Sequence, residues 1–290
     1  MNKVVVMTDT SSAISQKIAN SYGVAVIPWH VIMDGKDYLD TEIDMTRLYA
    51  RLREKKNLPI TSGYSVEECL QYFYRLSKEG SDVLYIAMTS AMSTMGYNAA
   101  MQAKKIAQEN LPQTAIEVID SRTVGPAQLC LAIAAAKAAS QGRSLKEVVE
   151  LVNHMIPRMN ELETSDTLFY LDKGGRIFEA KSWAEAQSQN SFRTIVEIDA
   201  ISGGAAKPLA RAKTKRQIMK KVVDLTKERV GGGNLFAAIV HTNVPEQAEQ
   251  LKEMVLPRFQ CDEFYICEAL AVTAIHNGEG LIEFGFYSSG

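Results

Sequence analysis

The stretch VVVMTDTSS, residues 4–12, decides the fold class of this chain, because four apolar residues lead directly into an acid and a run of hydroxyls. The same succession recurs at Val83–Met88 before Thr89-Ser90 and at Ala115–Ile119 before Asp120-Ser121. In a wound α/β sheet, ligands are bound at the carboxyl ends of the strands, where the following helices begin. Since Ser and Thr hydroxyls both donate and accept hydrogen bonds, we expect these strand ends to bind something small and polar.

The order of the elements predicts two different sheets. Residues 1–160 alternate between strand-like and helix-like segments, which is typical of a mostly parallel sheet with helices on its faces. After residue 160 the strands are no longer each followed by a helix, which favours a mixed sheet. The length of 290 residues also favours two domains. We therefore predict an α/β protein with an N-terminal α/β domain, residues 1–160, that has a mostly parallel sheet and the hydroxyl-rich loops. A C-terminal α/β domain, residues 161–290, is predicted to have a mixed sheet and to cover the rest of the site.

Turn residues and apolar periodicity predict the individual elements. Asp34-Gly35 marks a tight turn, after which Lys36–Asp40 is predicted to return as a hairpin arm. The segment Thr61–Ser65 is predicted to be a loop between two helices, and the capping box that begins at Ser144 opens a helix expected to run to about Asn160. The strands predicted in the C-terminal part are Leu168–Leu171, Arg193–Ile198, Leu209–Ala212, Leu235–His241, Phe264–Leu270 and Leu281–Tyr287, with helices at about Lys215–Val230 and Pro245–Met254.

Composition excludes several classes of protein. A hydrophobic content of 46% and a charged content of 23% are those of a globular protein. The net charge is −2 and there is no basic stripe interleaved with aromatic residues, which argues against nucleic-acid binding. We predict no membrane span, because no run approaches 18 apolar residues, and expect a cytoplasmic location, because no secretory signal is visible. The four cysteines form no C-x-x-C pair, so we expect neither a disulfide framework nor a metal site, and no cofactor.

The common catalytic signatures are absent, and four polar sites remain. The chain has no P-loop, no G-x-S-x-G elbow and no H-E-x-x-H. Each remaining site has a structural alternative. Asp9 either caps the next helix or arranges the hydroxyls around it, and the loop with Thr89, Ser90 and Ser93 is either an anion site or a plain N-cap. Lys173-Gly174-Gly175-Arg176 is either an anion clamp or a solvated turn, and His276 is a ligand contact or a structural histidine beside the flexible segment Asn277–Gly280.

Taken together, these sites resemble the DegV family over nearly the whole chain. Members of that family typically show T-D-S/T-x-x after the first strand, then T-S-x-P-S, S-S-x-x-S-G-T-Y, D-S, Y-L-x-x-G-G-R-I and H-x-G-P-G. The matching segments occur here in the same order: Thr8–Ser12, Thr61–Ser65, Thr89–Ser93, Asp120-Ser121, Tyr170–Ile177 and His276–Gly280. The G-G-R-I motif is intact together with its preceding Tyr-Leu.

The resemblance implies a protein that buries a long-chain fatty acid between its two domains and has no catalysis of its own. Some members of the family are the acyl-binding subunit of a bacterial fatty acid kinase and present the carboxylate to a separate ATP-binding chain. The ligand-binding residues predicted in this way are Thr61, Ser62 and Ser93 at the head group, Thr89 and Ser90 in the same hydroxyl loops, His276 nearby and Arg176 at the pocket mouth. Asp9 and Ser121 would organise the loops.

The apolar tail is expected to set the affinity. A C16 chain that moves from water into an apolar tunnel gains on the order of 10 kcal/mol, at about 0.8 kcal/mol per CH₂. Hydrogen bonds to the carboxylate contribute roughly 1.5–3 kcal/mol each, part of which offsets desolvation. Residues available to line a tunnel, or simply to form two cores, include Ile27, Val31, Phe169, Ile198, Ile239 and Ile266.

Two other functions stay open. Tyr64 replaces the proline of T-S-x-P-S, Thr94–Gly96 contains one residue more than the family pattern, and Glu279 replaces the proline of H-x-G-P-G. These departures favour a divergent member with an altered ligand. An enzyme acting on a small anionic metabolite would instead use Asp9 and His276 as acid and base, and a short polar cleft would favour it over a lipid tunnel.

Overall fold

The computed structural model describes residues 2–78, 80–189 and 191–288, which form three sheets surrounded by helices. The N-terminal elements are β1 (Val4–Asp9), α1 (Gln16–Tyr22), β2 (Ala25–Ile27), β3 (His30–Met33), β4 (Lys36–Leu39), α2 (Met45–Arg53), β5 (Ile60–Ser62), α3 (Val66–Leu76), β6 (Asp82–Ala87), α4 (Thr94–Asn110), β7 (Ile116–Asp120), α5 (Gly125–Ser140) and α6 (Leu145–Met155). The C-terminal elements are β8 (Met159–Ser165), α7 (Phe169–Lys173), α8 (Lys181–Gln189), β9 (Arg193–Glu197), β10 (Lys207–Ala212), α9 (Lys215–Val230), β11 (Leu235–His241), α10 (Pro245–Val255), β12 (Cys261–Glu268), α11 (Ala271–Asn277) and β13 (Ile282–Ser288).

The first sheet is parallel throughout, with the strand order β2-β1-β6-β7. Its central strand β1 is buried on both faces, as is typical of parallel sheets covered by helices on each side. Because parallel strands end at one edge, the polar residues that follow β1, β6 and β7 lie along the same edge of the sheet. The predicted parallel sheet is confirmed.

The second large sheet is mixed, with the strand order β10-β9-β8-β13-β11-β12. Strands β11 and β12 are parallel, and every other neighbouring pair is antiparallel. The predicted mixed sheet is therefore also confirmed, and β11 and α9 have the predicted bounds.

Helix α5 packs between the parallel and the mixed sheet. Twelve of its 16 residues are buried, and it is apolar on every side, which is the composition of a helix enclosed in a core. One hydrophobic cluster joins its side chains to Ile86 of the parallel sheet and to Val240 of the mixed sheet. The division of the chain at residue 160 stays a prediction, and β8 of the mixed sheet already begins at Met159.

The helix predicted to reach Asn160 is confirmed as far as Met155 and is wrong over its last five residues. Helix α6 ends at Met155, a 3-10 turn at Ile156–Arg158 contains Pro157, and β8 follows. Proline has no N–H to continue the helix. The strand has the sequence MNELETS, whose acids hide the apolar pattern by which strands are recognised, although all seven residues are buried.

Two short segments also differ from their predictions. Residues Leu168–Leu171, predicted as a strand, belong largely to helix α7, so the glycine pair of the G-G-R-I motif follows a helix. Thr61 and Ser62, predicted in a loop, lie on β5, which pairs with β3 in a three-stranded antiparallel sheet. The predicted hairpin is present as β3 and β4, and its turn residues Asp34 and Gly35 both have positive φ, as a two-residue type I′ turn requires. Helices α8 and α11 were not predicted.

No helix in the described ranges is long and apolar enough to cross a membrane.

Candidate functional site

A cavity lies where the carboxyl edge of the parallel sheet, helix α11 and the mixed sheet meet. Its volume is about 60 Å³. A single water molecule needs about 10–15 Å³ on the same scale, so the cavity has room for more than one water. Its apolar lining consists of Trp29, Met88, Met92, Val124, Leu171, Ile198 and Val272. Its polar lining consists of Ser11, Thr61, Ser93, Glu163, Arg176, Thr273, His276, Asn277 and Glu283. Of the six residues proposed from the sequence to line a tunnel, only Ile198 does so.

Thr61 and His276 are hydrogen-bonded to each other at one side of this cavity. Thr61 is on β5 and His276 in the last turn of α11, and Thr61 Oγ1 is 2.8 Å from His276 Nε2. Burial lowers the pKa of His276 to about 3, and the nearby positive charge of Arg176 adds to this effect. The imidazole is therefore neutral at physiological pH. Its Nδ1 atom has no hydrogen-bond partner among the described residues.

Gly174 allows the His276 ring to occupy this position. A Cβ atom added at Gly174 would lie 2.6 Å from His276 Nδ1, so a larger residue would displace the imidazole. The G-G-R-I motif thus contributes a close backbone approach as well as its arginine.

Arg176 is a half-buried cation beside the Thr61–His276 pair. Its Nη1 atom donates a hydrogen bond to the Gly174 carbonyl, and within the described parts of the chain it forms no ion pair. Burial lowers the pKa of Arg176, but a guanidinium stays charged in proteins. An unpaired guanidinium beside hydroxyls is suited to a carboxylate or phosphate.

Thr61, Arg176 and His276 also line a second cleft, of about 160 Å³, which reaches the exposed residues Ile60 and Lys173. The other residues of this cleft are Leu58, Pro59, Ile60, Tyr170, Lys173, Gly174 and Ile275. The three polar residues therefore stand between the inner cavity and the exterior.

Ser93 lines the same cavity from the beginning of α4. It occupies the N-cap position, but its side chain makes no capping hydrogen bond. Plain N-capping, the alternative weighed from the sequence, is therefore not what this hydroxyl does. It is available to a ligand.

The other predicted hydroxyls do not line the cavity. Ser62 contacts its neighbour Gly63, as expected from the alternation of side chains along a strand, which sends Thr61 and Ser62 to opposite sides. The Thr89 hydroxyl accepts a hydrogen bond from the Ala91 N–H. Ser90 donates to Asp120, and Ser121 to the Thr123 carbonyl. These last three hydroxyls stabilise the loops at the sheet edge.

Asp9 is the centre of a buried hydrogen-bond network and does not line the cavity. Its carboxylate accepts hydrogen bonds from Ser11 N (3.0 Å), Ser11 Oγ, Trp29 Nε1 (3.1 Å), the Tyr85 hydroxyl (3.1 Å), Met88 N (3.1 Å) and Gln128 Nε2 (3.3 Å). Both oxygens are occupied, by donors from five elements or loops. This geometry is that of a residue that organises loops, and it leaves Asp9 without access to a substrate.

Two of the departures from the family pattern compensate for each other. Tyr64 is buried, and its hydroxyl is hydrogen-bonded to the Tyr85 hydroxyl. A Cβ atom at Gly96, in the first turn of α4, would lie 2.9 Å from the Tyr64 hydroxyl and 3.2 Å from Trp29 Cζ2. Gly96 thus makes room for the large side chain that stands in place of proline.

Glu279, the third departure, is held on the outside of the site. Its carboxylate accepts hydrogen bonds from Arg53 Nε (2.8 Å), Arg53 Nη2 (2.6 Å) and Asn243 Nδ2 (2.6 Å). The hydrogen bonds to Arg53 lower the pKa of Glu279. Because it does not line the cavity and is paired with a cation, its charge does not face the Thr61 side.

Sequence reasoning missed the acids of the mixed sheet. Glu163 on β8 and Glu283 on β13 line the cavity, and Glu161 lies on the same face of β8. Burial raises the pKa of Glu163 to about 8 and holds the pKa of Glu283 well above its usual range, the latter with the like charge of Glu163 adding to the effect. No local signal would have found them, because no strand was predicted between Asn160 and Leu168, and Glu283 lay in the predicted strand Leu281–Tyr287 without any motif that marks it as a site residue. The described residues contain no group of three His, Cys, Asp or Glu side chains that could hold a metal ion.

The fold and the cavity define an α/β protein with a parallel and a mixed sheet, a small antiparallel sheet and a mixed polar and apolar site where they meet. The chain belongs to the DegV family, since the family model described as "Uncharacterised protein, DegV family" matches residues 3–289. Among curated proteins it is similar to DegV domain-containing proteins of two bacteria. One, from Clostridium perfringens, is 28% identical over 95% of both chains, and the other, from Clostridium acetobutylicum, is 28% identical over 98% of both chains.

Solved structures of the family share the fold over the whole chain. A fatty acid binding DegV family protein from Streptococcus agalactiae is 25% identical, with a TM-score of 0.83 and 100% of each chain covered. A DegV family protein from Thermus thermophilus, whose structure is described as showing fatty acid binding, has a TM-score of 0.90, 22% identity and 99% coverage of each chain. A stearic acid-binding protein from Eubacterium ventriosum has a TM-score of 0.88 and 21% identity, and covers 99% of this chain and 98% of its own.

Proposed function

We propose that this protein binds a long-chain fatty acid in the cavity between its sheets, with the carboxylate at Arg176, Thr61 and Ser93. The observation that carries the proposal is the Arg176 guanidinium, which is half-buried beside two hydroxyls and has no ion-pair partner in the described ranges. A carboxylate would supply that partner. The apolar residues that line the cavity beyond it, including Met88, Met92 and Ile198, suit an acyl chain. Family relatives described as fatty acid binding support the same ligand class.

His276 has a positioning role in this proposal. A neutral imidazole that donates its Nε2 hydrogen to Thr61 Oγ1 leaves the Thr61 hydroxyl hydrogen free to point at the carboxylate. Its low pKa keeps this arrangement unchanged over the physiological pH range.

The contacts of Asp9 argue against an enzyme in which Asp9 and His276 act as acid and base. The Asp9 carboxylate does not line the cavity and both of its oxygens already accept hydrogen bonds, and the neutral His276 ring holds its hydrogen bond to Thr61. We therefore propose a binding protein with no catalysis of its own. The altered loop at Tyr64 is compensated by Gly96, which supports a fatty acid ligand over an unrelated one.

The proposal is tested by comparing the affinity for a fatty acid with the affinity for its uncharged ester. Delipidated protein is titrated with palmitic acid and with methyl palmitate, which has the same chain without the charge. We expect the acid to bind at least tenfold more tightly, and Arg176→Gln to remove most of that preference, because charge-assisted hydrogen bonds are worth about 1.5–3 kcal/mol. Thr61→Val and Ser93→Ala should reduce it less.

Ser62→Ala is the matched control for Thr61→Val, because its hydroxyl is on the opposite side of β5. It should leave the affinity for palmitic acid unchanged. Failure of every fatty acid to bind, with no acyl species in an organic extract of the purified protein, would refute the proposed function.

We further propose that the bound acid is presented to a fatty acid kinase through the surface cleft beside Arg176. Lys173 is exposed in that cleft and is 5.8 Å from the centre of the Phe169 ring. With the ATP-binding kinase subunit and Mg-ATP, acyl phosphate should form and be trapped by hydroxylamine. Lys173→Glu should reduce the rate severalfold and leave the dissociation constant of the fatty acid unchanged. An equal rate for the variant would argue against docking at this cleft.

A further inference from the structure

The wall that the mixed sheet contributes to the cavity is polar, which is unusual for a surface facing an acyl chain. Glu163 and Glu283 are directly opposite each other on β8 and β13, and paired residues point to the same face of a sheet. Both line the cavity, with only 1% and 2% of their surface exposed. Glu163 Oε1 and Glu283 Oε2 have no hydrogen-bond partner among the described residues.

Asn277 provides a second and independent polar group at this cavity. It lies in the last turn of α11, is 7% exposed, and lines the same cavity. Its Nδ2 atom donates to the Thr273 carbonyl at 3.3 Å, which leaves Oδ1 as a buried acceptor without a partner in the described chain. Three residues that each have an unpartnered polar atom, on two strands and a helix, therefore line one cavity.

Burial of the two acids favours their protonated forms. Burial raises the pKa of Glu163 to about 8, while burial and the charge of Glu163 hold that of Glu283 well above the usual range. The neighbouring acid Glu161 shares this environment, and Arg176 is the cation that lines the cavity. A protonated carboxyl group both donates and accepts hydrogen bonds, whereas the Asn277 oxygen only accepts.

An unsubstituted chain would leave these atoms without partners and would gain no hydrogen bonds from them. A hydroxyl group on the chain fits them, because it can donate its one hydrogen to Asn277 Oδ1 and accept hydrogen bonds from the two protonated carboxyl groups. We infer that the cavity prefers a fatty acid whose chain carries a hydroxyl group, held by Glu163, Glu283 and Asn277. This inference rests on the fatty acid binding proposed above and specifies its substrate class.

The test compares stearic acid with its hydroxylated derivatives on the full-length, delipidated protein at pH 7. Displacement of a fluorescent fatty acid gives dissociation constants for stearic acid and for the 9-, 10- and 12-hydroxystearic acids. We expect at least one hydroxy acid to bind about five- to tenfold more tightly than stearic acid, the gain typical of one or two net hydrogen bonds. If stearic acid binds as tightly as every hydroxy acid, the inference is overturned and the proposed function stays intact. Failure of all four acids to bind would instead refute the proposed function.

Substitutions locate the preference on the polar wall. Glu283→Leu should abolish it and tighten stearic acid binding, because the chain then meets an apolar surface. Glu283→Gln, which keeps a polar group of the same size, should retain most of the preference for the hydroxy acid.

Ser165→Ala is the matched control, because Ser165 is on the same strand and face as Glu163, is 3% exposed with an unpartnered hydroxyl, and does not line the cavity. It should leave the ratio of the two dissociation constants unchanged. A Glu283→Leu protein that folds, as judged by its melting curve, and keeps the wild-type ratio would overturn the assignment. If that variant does not fold, the wild-type ratio alone decides.

Discussion

The protonated acid at Glu163 makes a quantitative prediction about stability. Its pKa rises from 4.5 to about 8 on folding because the side chain is buried. Between these values the folded protein holds a proton that the unfolded chain has released. The free energy of unfolding is therefore highest below the unfolded pKa, falls as pH rises towards 8, and levels off above it. For one fully buried group the slope is up to about 1.4 kcal/mol per pH unit.

The informative window is pH 6.5 to 8. Below about 6.5 the buried neutral His276, whose pKa is lowered to about 3, destabilises the fold as pH falls and so acts in the opposite direction. Above 6.5 the buried acids dominate, and they include Asp40, whose pKa burial raises to about 7, as well as Glu283. Across this window Glu163 alone contributes a loss of up to about 2 kcal/mol.

Glu163→Gln removes this contribution while keeping the size and polarity of the side chain. We expect the variant to lose less stability than the wild type between pH 6.5 and 8, by up to about 2 kcal/mol, because no proton is then retained at this position. The variant also relieves the like charge that raises the pKa of Glu283, which changes the slope in the same direction. Urea unfolding followed by tryptophan fluorescence at four pH values measures the slope, with equal m-values as the condition for comparison. Glu228→Gln, on the exposed side of α9, should follow the wild type. Equal slopes for Glu163→Gln and the wild type would show that Glu163 is already ionised in the folded protein.

Three further predictions concern the backbone and the polar network. Gly278→Ala should lower the free energy of unfolding, measured by chemical denaturation, by several kcal/mol, because a Cβ atom there would lie 2.2 Å from the Tyr170 ring. Gly23→Ala is the control, since Gly23 also has a positive φ but no atom within 4 Å of the added Cβ, and it should lower the free energy of unfolding by only about 1–2 kcal/mol. Asp9→Asn should lower the unfolding free energy by about 2–4 kcal/mol, because an amide cannot accept every hydrogen bond that converges on the buried carboxylate; a loss below 1 kcal/mol would contradict its place at the centre of the network. Glu279→Gln should change stability by less than about 1 kcal/mol and leave fatty acid affinity unchanged, since its ion pair is partly exposed; weaker or stronger palmitate binding would place Glu279 at the head group after all.

The parallel sheet was predictable because its signals are local. In β1 an unbroken apolar run is followed by a polar cluster, and helix α5 begins with Gly-Pro and continues as a long apolar segment. Both patterns depend only on neighbouring residues. The helix bounded by Thr214 and Gly231 was predictable for the same reason, since its capping box and its glycine terminator are both in the sequence.

The site was only partly predictable, because it joins segments that are distant in sequence. Thr61, Arg176 and His276 were selected by motif, but the hydrogen bond between β5 and α11 and the cleft on the outer side are products of packing. The error at β8 has a different origin. Glu161 and Glu163 are charged in water and in the unfolded chain, so a prediction from hydrophobic periodicity places them on the solvent side. Only the tertiary environment keeps them protonated and buried.

Electrostatics within the cavity orients the ligand without any further contact. Four ionisable side chains line it in the described chain: Arg176, His276, Glu163 and Glu283. At pH 7 the imidazole is neutral because its pKa is about 3, and burial raises the pKa of both acids and so favours their uncharged forms. The guanidinium therefore carries the formal charge. A carboxylate is drawn to the Arg176 side, which adjoins the surface cleft, and a neutral polar group on the chain is tolerated at the acids of the mixed sheet. The same burial that costs folding stability at Glu163 thus keeps the inner wall uncharged, so that an anionic ligand is not repelled from it.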